Sequence, residues 1–309
     1  MRPIIASLFV VLTFLGEAGT IFSASPIPIS TQQNSYNGAR ALPRAISFRE
    51  EKDRGLLAKV WVNDAGPFTF AIDTGAGVTL ISNRAADLAD LKRLGASVTV
   101  GGLSGASPSK GTNTTLRSVA IGDRSNWLSQ NQKAIIIDNL PRDIDGVLDP
   151  TGAYLPFGYS IDLPNRRLSA FDPGSRPLNV GDAPEGGTVV RWLDRDSGRR
   201  PFVRLGDGRL ALLDTGSGFG LAINRGSNQQ PSRSRPGVHD LGGGQVSSER
   251  VAPTTITIGA LTLRKIPTDL LSGIENDAPI LLGRDALYPF RLTFDPLQRL
   301  IEITPSSRP

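Results

Sequence analysis

Phe70-Ala71-Ile72-Asp73-Thr74-Gly75-Ala76-Gly77 returns later in the chain as Ala211-Leu212-Leu213-Asp214-Thr215-Gly216-Ser217-Gly218. Each copy is an apolar strand-like run ending in Asp-Thr-Gly, and each follows a turn signal, at residues 64–67 and at Gly206-Asp207-Gly208. Gly101-Gly102 begins 28 residues after Asp73, and Gly242-Gly243 begins 28 residues after Asp214. Each pair opens a Gly/Ser-rich stretch that leads into a strand closing on Ile-Gly, at Ile121-Gly122 and Ile258-Gly259. Apolar runs follow at Val147-Leu148-Asp149 and Leu281-Leu282-Gly283, and strand pairs around Asp162-Leu163-Pro164 and Asp295-Pro296 close each unit. Two Asp-Thr-Gly tripeptides would arise by chance in about one chain of this length in a thousand. The repeat therefore predicts two homologous lobes, residues 45–172 and 178–305, joined by a turn at 172–177.

Local patterning predicts an all-β fold with a few short helices. The alternation through residues 57–63, a turn at Ala65-Gly66-Pro67 and a strand over 68–72 predict a hairpin leading into the first Asp-Thr-Gly. Ala86, Leu88, Ala89 and Leu91 have helical spacing and predict one amphipathic helix over residues 83–94. Composition agrees: among 309 residues, 34 Gly and 23 Pro suit short strands and tight turns better than a helix bundle.

The Asp-Thr-Gly pattern points to chemistry. A strand that ends in Asp presents the carboxylate at its tip, and Gly lets the backbone turn sharply behind it. Thr supplies a hydroxyl able to hydrogen-bond across to the partner loop. Two such loops related by approximate two-fold symmetry bring Asp73 and Asp214 together. Like charges that close cannot both ionise easily, so the pair shares a proton. One member can then donate to a peptide carbonyl while the other activates a water. Asp73 and Asp214 are thus the candidate catalytic residues, with Thr74, Gly75, Thr215, Gly216 and Ser217 supporting them. No metal and no cofactor is expected.

These segments, with residues 60–70 ahead of the first and 279–287 late in the second unit, resemble the signatures of aspartic peptidases. More narrowly they are similar to bacterial retropepsin-like proteins carrying two such units in one chain, in a pepsin-like bilobal arrangement. The resemblance implies the acid protease fold, endopeptidase activity at acidic pH and inhibition by pepstatin-like compounds. It also implies that the Gly-rich stretches act as flaps, making Gly101, Gly102, Gly242 and Gly243 candidate substrate-binding residues. Three features depart from the pattern. Ala76 stands where pepsins carry Ser or Thr, neither flap has the pepsin Tyr, and Asp149 stands where the second unit has Gly283. Asp149 reads either as a third carboxylate near the site or as a turn residue after a shifted Gly146. A catalytically silent peptide-binding protein is the alternative reading of the same features.

Other function classes are disfavoured. The chain has no Cys, which removes disulfides, thiolate nucleophiles and Cys-ligated metals. His239 is the one His, and without a Gly-x-Ser-x-Gly elbow a Ser-His-Asp triad is not expected. A net charge of +5 is spread among interspersed acidic residues, so no nucleic-acid partner is expected. Arg2, the apolar run at 4–15 and Gly16-Glu17-Ala18 predict a signal peptide over residues 1–18, with a boundary up to 25. The alternative is a retained anchor, but about 12 apolar residues are short against roughly 20 for a span. Residues 24–46, rich in Ser, Pro, Gln and Asn, read as a flexible linker or short prosegment. The expected protein is a periplasmic or secreted monomer acting on peptide or protein substrates, with no stable membrane insertion once the signal is removed.

Overall fold

A computed structural model describes residues 41–51, 54–103, 109–193, 195, 199–225, 238–239, 245–274 and 278–306. The expected signal peptide, most of the expected linker and Gly242-Gly243 lie outside these residues. The fold is all-β, with three short helices among the described residues: α1 (Asn83–Leu88), α2 (Pro150–Tyr154) and α3 (Arg284–Leu287).

The strands form three sheets. A nine-stranded sheet takes its strands from Arg49–Glu51 through Gly146–Leu148, and a seven-stranded sheet runs from Phe202–Arg204 through Ile280–Gly283. The pairings around the two Asp-Thr-Gly segments match. Ala65–Ile72 runs parallel to Gly146–Leu148, with Ile72 opposite Leu148; Leu210–Asp214 runs parallel to Ile280–Gly283, with Leu213 opposite Leu282. In each case the next strand, Thr79–Ser82 or Leu221–Asn224, lies antiparallel on the other side of that partner. Three adjacent inner strands bury both faces, so Phe70, Ile72, Leu148, Leu213 and Leu282 are apolar and fully covered.

The third sheet draws on both halves of the chain. Its strand order is Ile46–Ser47, Arg167–Phe171, Gly158–Asp162, Phe290–Asp295, Leu300–Pro305 and Thr188–Arg191. Gly158–Asp162 pairs directly with Phe290–Asp295, stitching the halves together at their centre. Tyr159 stacks on Phe294 there at 4.7 Å between ring centroids, and Trp192 meets Phe294 edge-on. Each such fully buried aromatic contributes about 1.5–3 kcal/mol. The main hydrophobic cluster is continuous across this sheet, containing Phe70 and Ile72 from one half and Leu213 and Leu282 from the other. The two loops that matter are therefore anchored to one core.

Two local expectations are corrected. The first hairpin turns at Asn63-Asp64, between Gly55–Val62 and Ala65–Ile72, and not at Ala65-Gly66-Pro67. Asn63 and Asp64 have φ of 48° and 70°, the pair of positive values a two-residue hairpin turn demands and Asn and Asp tolerate. The Asn63 side chain also accepts hydrogen bonds from the backbone N–H groups of Arg117 and Ser118. Helix α1 stops at Leu88 instead of running to 94. Ser82 caps its start by accepting from Ala85 N, Asp90 leaves helical space at φ 49°, and a strand begins at Leu94. Leu88 is exposed while Leu91 is buried, so the apolar spacing spans a turn, not one continuous helix face.

Candidate active site

Each Asp-Thr-Gly segment turns at the end of its inner strand, and the two turns clasp each other. Thr74 donates its hydroxyl to Leu213 O (2.7 Å) and accepts from Thr215 N (3.0 Å). Thr215 does the reciprocal, donating to Ile72 O (3.2 Å) and accepting from Thr74 N (3.1 Å). All four bonds are buried, and each joins residues about half the chain apart. The clasp fixes the two turns as one rigid unit.

That unit sets Asp73 and Asp214 face to face, both buried. The glycines explain how two backbones approach so closely. A Cβ at Gly216 would lie 2.5 Å from Asp73 Cγ, and one at Gly75 would lie 3.0 Å from Asp214 Cγ. No other residue type fits there.

The carboxyls are not equivalent. Asp73 Oδ1 accepts from Gly75 N (2.7 Å), while Oδ2 is buried and no N–H or O–H of a described residue reaches it. Asp214 Oδ1 accepts from both Gly216 N (2.8 Å) and Ser217 N (3.1 Å). Burial and then the Asp214 charge hold the Asp73 carboxyl protonated well above the ordinary value of 3.8, and its hydrogen bond to Asp214 adds to this. Burial raises Asp214 too. There the bond from Asp73, the two N–H groups and the Arg284 guanidinium oppose the rise. Both carboxyls are raised, Asp73 the more strongly, which favours a proton held by the pair on the Asp73 side.

Arg284 was not singled out by sequence reasoning. Its side chain is 4% exposed, donates to Thr215 O (2.8 Å) and Gly216 O (3.0 Å), and approaches Glu50 at 3.5 Å. It follows the apolar run Leu281-Leu282-Gly283, where the first half has Pro150, and that mismatch in the repeat was the available signal. Arg284 therefore braces only the second of the two Asp-Thr-Gly turns, and it places positive charge on the Asp214 side.

Asp149 is the counterpart of Gly283. Its carboxylate caps α2, accepting from Thr151 N (3.0 Å) and Gly152 N (3.3 Å), with Arg199 of the second half 3.7 Å away. The matching registers exclude a shifted Gly146: Asp149 is a helix cap, and its charge adds a small upward push to the Asp73 carboxyl. A Cβ at Gly283 would meet the backbone oxygens of Phe219 at 2.5 Å and Ser217 at 2.8 Å, so the backbone packing of the second half itself requires Gly there.

Burial, the largest effect, pushes Asp149 up to about 6 from 3.8, against the opposing pull of Arg199 and the capping N–H groups. Because the folded value is raised, stability is fully present below 3.8 and is lost as pH rises through about 6. At 1.36 kcal/mol per pH unit the loss approaches ~3 kcal/mol. Asp149→Asn keeps a capping side chain and cannot ionise. Urea midpoints at pH 4 and pH 7 should therefore lie closer together in this variant than in the wild type. An unchanged gap would refute the account.

Gly101 and Gly102 are buried at the end of the strand Leu94–Val100, which pairs with Ser109–Leu116 as a hairpin. The next residue, Leu103, packs with Phe202, Leu212, Phe219 and Leu281 of the second half. The hairpin therefore reaches across from one half to the other. Ser217, besides its bond to Asp214, accepts from Phe219 N (3.2 Å). Gly242 and Gly243 fall outside the described residues.

Residues 58–149 match the family model of aspartyl proteases, a span that includes Asp73 and ends at Asp149. The match supports protease function in general. No curated protein matches the chain.

Proposed function

We propose that the protein is an exported aspartic endopeptidase that hydrolyses peptide bonds with a water activated between Asp73 and Asp214. The observation that carries this reading is the unequal environment of two facing, buried carboxyls. Asp214, ionised and held by two N–H groups near Arg284, takes a proton from the water as its oxygen attacks the scissile carbonyl carbon. Asp73 gives its proton to the carbonyl oxygen, forming a tetrahedral diol. Collapse returns a proton from the diol to Asp73, while the proton on Asp214 passes to the departing amine as the C–N bond breaks. The nucleophile is water throughout, so no acyl-enzyme forms.

Export rests on the amino-terminal apolar run and places the enzyme in the periplasm or outside the cell. A monomer suffices, because one chain supplies both carboxyls. Substrates are peptides or extended protein segments, since a cleft bridged by a flap-like hairpin favours an extended chain.

The test is cleavage of a mixed peptide pool by the purified protein between pH 3 and 7, with and without a pepstatin-like inhibitor. Inhibitor-sensitive cleavage at acidic pH is expected, and no cleavage anywhere in this range would sink the proposal. The pH profile has a further expected feature. Activity falls on the alkaline side as Asp73 ionises, and the Asp149 charge raises the Asp73 value. Asp149→Asn should therefore move the alkaline limb to lower pH, and a limb that stays put or moves up contradicts the assignment.

A further inference from the structure

Two cavities lie beside the turn that follows Asp73. One, of about 540 Å³, extends from Gly77 and Val78 over the sheet to Lys133, Arg199 and Arg200. The other, of about 570 Å³, extends from Thr79 past Leu155 to Leu297 and shares Lys133 and Arg199 with the first. The cavities adjoin at these shared residues, and Gly77 and Val78 of the segment after Asp73 line the first; we treat them as one groove.

The lining has a consistent chemistry. Lys133 is exposed on the strand Gln132–Ile137, opposite Thr115. Arg199 is 37% exposed on its side chain, and the Asp149 carboxylate 3.7 Å from it is 1% exposed. Asp149 therefore holds the guanidinium from behind and leaves its outer side toward the groove. Among the described residues no Asp or Glu lines either cavity. Exposed apolar side chains line each cavity: Leu94, 44% exposed, in one and Leu297, 61% exposed, in the other. Cations shared by both cavities, with an exposed apolar side chain in each, complement an acidic peptide.

We propose that this groove is the part of the substrate cleft that selects peptide segments bearing Asp or Glu side chains, held by Lys133 and Arg199 with apolar contacts at Leu94 and Leu297. The proposal rests on the peptidase reading for its role in turnover, but groove binding itself does not require turnover. Asp214→Asn protein removes hydrolysis from the measurement. With it, fluorescence anisotropy at pH 5.5 and low salt compares a ten-residue peptide containing alternating Glu with its Gln and Lys counterparts. Glu side chains are ionised at this pH.

The Glu peptide should bind at least about 10-fold tighter than the Gln peptide, since two charge-assisted contacts are involved. The preference should fade in high salt, as expected for exposed charges. Lys133→Gln, an exposed substitution, should reduce the preference alone, and Lys133→Gln/Arg199→Gln should abolish it. Amidating the peptide carboxy-terminus should change nothing. Equal binding of the Glu and Gln peptides, a preference that survives the double variant, or one that disappears on amidation would overturn the proposal. So would a single-stranded oligonucleotide that binds the groove more tightly than the Glu peptide. The two readings fail separately. Wild-type enzyme that cleaves Glu and Gln peptides with equal kcat/KM overturns acidic selection and leaves the peptidase standing. Acidic preference in binding, with no cleavage by the wild type, does the reverse.

Discussion

Asp214→Asn is expected to lower kcat/KM by a factor on the order of 10²–10⁴, the range general acid–base catalysis contributes, while the fold stays intact. The reason lies in what Asn preserves and what it removes. An Asn at 214 can still accept from Gly216 N and Ser217 N, which bond to Oδ1 in the wild type. Its NH₂ group can face the Asp73 carboxyl. What it cannot do is take a proton from water. Asp73→Asn should have a comparable effect through the opposite loss, because the proton donor to the carbonyl oxygen is gone. Because burial raises both carboxyls in the folded state, replacing either with a side chain that cannot ionise should also leave stability unchanged or raise it at pH 7. Circular dichroism and urea unfolding separate this outcome from simple misfolding. A variant that is folded and as active as the wild type would contradict the assignment of that residue.

The second large effect concerns stability. Thr74→Val removes the hydroxyl that accepts from Thr215 N and donates to Leu213 O, both buried. Each orphaned group costs about 1–3 kcal/mol, so the loss should be roughly 2–6 kcal/mol, a large share of what holds a typical domain folded. Thr215→Val should lose a similar amount through Thr74 N and Ile72 O. Thr74→Ser retains the hydroxyl and should lose far less. Equilibrium urea unfolding reads all three. If the Val variants cost no more than Ser, the threonines do not clasp the two halves in the way described.

Much of this site was visible in the linear chain because its determinants are short and repeated. Asp-Thr-Gly after an apolar run carries its own geometry: the run must be an inner strand, the Gly must permit a close turn, and repetition supplies the partner loop. The shifted hairpin turn shows where such local reading fails. Gly66-Pro67 is the stronger turn signal by composition, yet Asn63-Asp64 turns, because the Asn63 side chain is bound by the backbone of residues 117 and 118. That contact cannot be read from neighbours in sequence. The same holds for the central sheet, where Gly158–Asp162 meets Phe290–Asp295. Its pairing is set by packing of Tyr159 on Phe294, not by any local pattern. Helix α1 was overextended because Leu91 continues the spacing after the backbone has already turned at Asp90.

Asp149 and Arg284 illustrate a different limit. Both stand at positions where the two halves differ, and a repeat reveals what is shared more readily than what was exchanged. Asp149-Pro150 is a helix-start signal in its own right, a capping side chain followed by a residue suited to the first turn. Arg284 gave no motif. Its significance appears only when the turn it braces, and the carboxylate it favours, are seen in space. Together the two residues explain why a duplicated pair is electrostatically one-sided: a negative neighbour on the Asp73 side and a positive one on the Asp214 side.

The central claim is that the facing carboxyls hold one proton between them, on Asp73. Carbon-13 NMR of protein labelled at Asp carboxyls, with Asp73→Asn and Asp214→Asn supplying the assignments, measures it directly. The account predicts that Asp73 stays protonated well above pH 3.8 and that Asp214 ionises first. Two carboxyls that each lose a proton near 3.8, with neither sensing replacement of the other, would contradict it.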